Sequence, residues 1–143
     1  MSRQMSKWYP LEGYKYADLT ADVRIEKMMD TIRKIRKTEE LSETEKREHI
    51  RAIFEAVTEI AFEHEIRFDR VLDYVNWLYQ TDEDAAAFDL ALKLFNQLKG
   101  MVNPNRDALE AVCYRLEELA DEIGIDDEDL MDEILLTRVH YDV

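Results

Sequence analysis

Glu55, Glu59 and Glu63 recur four residues apart, a spacing that stacks three carboxylates on one face of a helix. Carboxylates that neighbouring helices project inward can hold a pair of metal ions, but such centres draw on Glu-x-x-His pairs. The residues three before His49, His64 and His140 are Lys46, Ala61 and Thr137, so that signature is absent. The repulsion within the row is expected to be offset by Arg33, Lys34, Arg36 and Lys37, folded back from the preceding helix. Asp126-Asp127-Glu128-Asp129 invites a calcium reading. A helix-loop-helix calcium site needs glycine at its sixth position and glutamate at its twelfth; here those positions hold Met131 and Thr137. Acids at a helix start already sit favourably against the positive end of the dipole.

Magnesium chemistry on a pyrophosphate calls for several carboxylates on consecutive helices. Glu118-x-x-Asp121, faced by Asp129 and Asp132, and Glu39-Glu40-x-x-Glu43 have part of that spacing. Neither has the expected order on consecutive helices, and few Lys or Arg lie nearby to meet phosphate. With glycine only at 13, 100 and 124, no phosphate-cradling loop can be assembled. Serine occurs only at 2, 6 and 42, and His64 continues the stripe of Ile50 and Val57 as a boundary residue. Cys113, the sole cysteine, excludes an internal disulfide and falls on an apolar stripe with Val112 and Leu116, where a thiol serves as a small core hydrophobe. No catalytic residue, cofactor or metal site follows from these patterns.

The candidates that remain are surfaces. From Asp107 onward thirteen acids face only Arg115 and Arg138, whereas Arg24 to Lys37 carries six bases against Glu26 and Asp30. The chain of 143 residues has a formal charge of -14, which repels phosphate backbones and anionic membranes; direct nucleic-acid or membrane binding is not expected. The acidic candidates for a partner are Glu117, Glu118, Asp121, Glu122, Asp126, Asp129, Asp132 and Glu133. A second candidate surface is the aromatic stretch around Pro10 and Gly13: Trp8, Tyr9, Tyr14 and Tyr16, with Leu11. It is too broken for a helix and rich in the side chains that anchor interfaces, a second copy of the chain included. Val139, Tyr141 and Val143 form a smaller apolar tail.

Helices must position these groups. Apolar residues recur three and four apart almost throughout, and no stretch alternates as a half-buried strand does. The first helix is expected over 18–37, with Ile25, Met28, Ile32 and Ile35 inward. Glu39 to Leu41 is the turn, and Ser42 with Glu45 forms a capping box for a second helix buried through Ile50, Phe54, Val57 and Ala61. A third spans 69–80. Thr81, followed by Asp82, Glu83 and Asp84, caps a fourth that Gly100 closes. Asn103 as cap and Pro104 at the first helical position open a fifth, ended by Gly124, and a short sixth covers 126–136. The fold class predicted is all-α: an antiparallel bundle of five main helices and a short C-terminal helix, a single domain over 18–143 preceded by an irregular aromatic arm over 1–17, with the acidic helices at 104–136.

The Met1–Pro10 segment has no apolar run and no export signal, so a soluble, cytoplasmic protein is expected. The function expected is that of a small adaptor or regulator that binds another protein rather than an enzyme. One form is an inhibitor of a basic nucleic-acid-binding protein, such as a polymerase or nuclease. Regularly spaced acids on a rigid helix imitate the charge row of DNA, about one per 1.7 Å of axis. The alternatives are a magnesium-dependent all-α nucleotide pyrophosphohydrolase and a structural subunit of a larger assembly, viral ones included.

Overall fold

A computed structural model describes residues 20–143; Trp8, Tyr9, Tyr14 and Tyr16, and the whole expected arm, lie outside the described residues. Among those described there are six helices and no strand. The helices are α1 (Ala21–Lys37), α2 (Glu43–His64), α3 (Phe68–Gln80), α4 (Asp84–Lys99), α5 (Arg106–Ile123) and α6 (Glu128–Tyr141). They form two compact units that part after Arg67.

In the first unit α1 opens at Thr20, whose side chain accepts from the Val23 amide at 3.2 Å. Its inward stripe is Ile25, Met28, Met29, Ile32 and Ile35, all buried. α2 begins with the expected reciprocal cap: Ser42 Oγ accepts from the Glu45 amide, and Glu45 Oε1 accepts from the Ser42 amide at 3.0 Å. Ile50, Ile53, Phe54, Val57 and Ala61 are its buried face. The pair is antiparallel, because Lys46 donates to the Arg36 carbonyl at one end while Arg24 lies 3.5 Å from His64 Nε2 at the other. That geometry corrects one expectation. The basic cluster of α1 flanks the first turns of α2, and the glutamate row runs toward the opposite end. Arg33 instead pairs with Asp30 one turn back, and at the far end, besides Arg24, Arg67 pairs with Asp22 and Glu26. His64 itself is exposed rather than a boundary residue.

In the second unit α3 buries Phe68, Val71, Tyr74, Val75, Trp77 and Leu78. α3, α4 and α5 run up, down and up, so that α3 and α5 lie parallel; Asn76 meets Arg115 and, further along both helices, Tyr79 meets Glu122. The core of this unit holds Phe88, Ala91, Leu94, Phe95 and Leu98 from α4 with Leu109, Val112, Cys113, Leu116 and Leu119 from α5. Thr81 does not cap α4. Its hydroxyl donates to the Trp77 and Leu78 carbonyls at 3.0 and 3.1 Å, completing the end of α3, and Glu83 precedes α4 with no side-chain cap bond. The cap of α5 is Asn105, not Asn103: its side chain accepts from the Ala108 amide at 2.9 Å, two residues further than expected, so Pro104 lies before the helix. Gly124 ends α5 at φ 74°, left-handed backbone that glycine adopts without a Cβ clash.

The sixth helix is longer than predicted. Its 14 residues exceed the 13 of α3, and it takes in Val139 and Tyr141, which the sequence places in a tail. No helix is long and apolar enough to cross a membrane among the described residues.

Candidate functional site

α6 is the least embedded helix of its unit. Its seam with α5 is far thinner than those joining α3 to α4 or α4 to α5, and it buries only Ile134 and Thr137. Its start follows from Asp127, whose side chain accepts from the Leu130 amide at 3.1 Å, with Glu128 and Asp129 in the first turn. The acid run is thereby a helix cap and first turn, as the dipole argument requires. Polar clamps hold the rest: Arg138 donates to Glu117 at 2.6 Å, Lys99 pairs with Glu133, and Arg106 donates to the Tyr141 and Asp142 carbonyls at 2.6 and 3.0 Å.

These contacts divide the eight acidic candidates. Glu117 is engaged by Arg138 and holds that guanidinium's pKa above its ordinary value through their hydrogen bond. Glu118 pairs with Arg115, which also donates to Asn76 at 2.7 Å and stacks over the Tyr79 ring. Glu122 accepts from the Tyr79 hydroxyl at 2.7 Å, which raises the phenol's pKa, chiefly through that bond. Glu133 is taken by Lys99. Asp121, Asp126, Asp129 and Asp132 are exposed and carry no such clamp. Three carboxylates therefore stitch helices together, Glu118 is taken up within α5, and four remain without such a clamp among the described residues.

Beside them lies a feature that periodicity conceals. Leu135, Leu136 and Val139 are 60%, 69% and 71% exposed, three large apolar side chains within two turns of a helix that buries little. Leu135 and Val139 are one turn apart. Asp132 precedes them by three and seven residues, and Asp129 precedes Leu136 by seven, so acids and apolar groups share the outer face. Next to Leu136 an open groove of about 450 Å³ runs along α6, with Lys99, Asp129, Asp132 and His140 among its walls. Sequence reading singled out Val139, as part of a tail, but missed Leu135 and Leu136, because α6 has apolar side chains on every side and presents no single stripe. The available signal was the mixed pattern itself, Leu135 and Leu136 adjacent with Val139 following.

No three His, Cys, Asp or Glu side chains converge as a metal ion would need, among the described residues. Glu118, one arm of the Glu118-x-x-Asp121 pair, is engaged by Arg115. Cys113 is fully buried, and burial pushes its thiol up to about 11, the reverse of what activates a nucleophile. Searches for similar proteins found no matching family model, no matching curated protein and no matching solved structure.

Proposed function

We propose that this chain is a small acidic adaptor or regulator that acts by binding another protein, and that the outer face of α6 is where it binds. The observation that carries the reading is the exposure of Leu135, Leu136 and Val139 beside Asp129 and Asp132, carboxylates that no cation among the described residues engages. An apolar cluster held out to solvent on a helix is unfavourable unless something covers it. Mimicry of DNA toward a basic nucleic-acid-binding protein is the form of regulation that Asp121, Asp126, Asp129 and Asp132 support. It rests on four open acids rather than eight, which is why the apolar face leads the reading.

The test is affinity capture of a partner from lysate of the native host, at about 50 and 300 mM salt, which separates electrostatic from apolar contacts. The wild-type chain is compared with Leu135→Ser/Leu136→Ser and with Asp121→Asn/Asp126→Asn/Asp129→Asn/Asp132→Asn. A partner that survives high salt and is lost with the serine variant supports docking on α6. A basic nucleic-acid enzyme retained only at low salt and lost only with the asparagine variant supports mimicry. Magnesium-dependent release of pyrophosphate from nucleoside triphosphates by the pure protein overturns the reading in favour of catalysis.

A further inference from the structure

Resting on the reading that α6 is the docking face, we infer that its occupant is a basic amphipathic helix: apolar anchors at helical spacing, flanked by Lys or Arg. The shape argument comes first. Leu135 and Val139 form a short apolar row with Leu136 about 100° round the helix beside it, and an apolar stripe of a second helix can seat its side chains between them. The charge argument chooses the flanks. Glu128, Asp129 and Asp132 lie within the same two to three turns and are exposed, while Arg138 and Lys99, the nearby cations, are already engaged by Glu117 and Glu133. The face thus offers apolar anchors with a rim of one sign, and a partner with a positive rim gains at both.

The same rim disfavours the other occupants. A second copy of the chain would bring another formal charge of -14 against this acid-rich face, which repels it. An anionic lipid surface is repelled for the same reason. The acids also cluster toward the start of α6, with Leu136 and Val139 beyond them, so the positive end of the partner lies over Glu128–Asp132. If that end is the partner's C-terminus, its cations also favour its own dipole, and the two helices run antiparallel.

The test uses the full chain and a fluorescent synthetic peptide of about five helical turns, made of Leu and Lys with leucines at i, i+3, i+4 and i+7. Its controls are a scrambled peptide of identical composition and a Leu/Glu peptide of the same pattern. The expected result is binding about tenfold tighter than to the scrambled control, and no binding of the Leu/Glu peptide. Leu135→Ser/Leu136→Ser should weaken it about tenfold, as loss of a central anchor does. Asp129→Asn/Asp132→Asn should weaken it at low salt and lessen its salt dependence. Since all four positions are exposed, unchanged circular dichroism melting of the variants separates docking from folding. Equal binding of patterned and scrambled peptides overturns the inference, leaving charge alone. So does displacement of the probe by a peptide of residues 1–19, or a dimer that Leu136→Ser dissolves. If the basic peptide fails but the serine variant still loses the partner captured from lysate, the partner chemistry falls and docking on α6 stands; if that partner is retained by the variant, docking on α6 falls.

Discussion

At the scale of single residues, the chain's local chemistry was readable where one partner was in reach and ambiguous where two competed. Ser42 and Glu45 have no rival bonds, and the capping box forms as spacing predicts. Thr81 could serve the helix ahead or the helix behind. Its hydroxyl bonds backward to the α3 carbonyls, a choice that backbone geometry makes and residue type does not. Ser42→Ala should cost about 1 kcal/mol in urea unfolding, the usual worth of such a cap. The backbone bond from Ser42 holds the Glu45 carboxyl below its ordinary pKa, so its part of the cap is present above that value and lost as the pH falls below it. Melting of wild type and Glu45→Gln should therefore converge toward acid. Cys113 works with the opposite sign. Its folded pKa of about 11 lies above the ordinary thiol value, so its contribution is complete below about pH 9 and is lost as pH rises through 11. Wild type should melt progressively earlier from pH 9 upward, Cys113→Ala less steeply, and the native thiol should react with a disulfide reagent at pH 8 only as fast as the protein opens.

At the scale of elements, α1, α2, α4 and α5 were legible because each buries one continuous stripe, and burial of a stripe is what a 3.6-residue period records; α3, apolar on more than one face, buries Tyr74 and Trp77 as well as Val71, Val75 and Leu78. α6 has no such stripe, and its extension to Tyr141 depends on clamps to Arg106 and Glu117, which lie far away in the chain. Two substitutions test how these elements are held. Gly124→Ala meets no atom within 4 Å, so its cost is backbone strain alone at φ 74°, about 1 kcal/mol. Leu116→Ala empties a site with no solvent exposure between α5 and its neighbours, and should cost about 2–5 kcal/mol by denaturant titration. A loss near the lower figure for Leu116→Ala with an unchanged m-value would show the site collapsing around the smaller side chain; a neutral Gly124→Ala would show that the left-handed cap is not required.

At the scale of the molecule, excess charge is the governing quantity. Residues 72–143 hold eighteen acids and five bases, against fifteen and fourteen in residues 1–71. Self-repulsion among unclamped acids should be relieved by salt. Between about 50 and 300 mM salt the free protein should melt at higher temperature, while its hold on a basic partner weakens. The two trends, measured on one preparation by calorimetry and by peptide titration, must have opposite signs if the acids of α5 and α6 are a binding surface. The sequence by itself determined the helical class, most helix limits, the buried stripes and the concentration of acid in the second half, because each depends on neighbours a turn or two away. Only the tertiary structure decided which acids are spent on Arg115, Arg138, Tyr79 and Lys99, and which apolar residues of α6 are left in water. Apart from Arg115–Glu118, a pair within one turn of α5, those outcomes depend on contacts between side chains 21 to 43 positions apart, which no local period encodes.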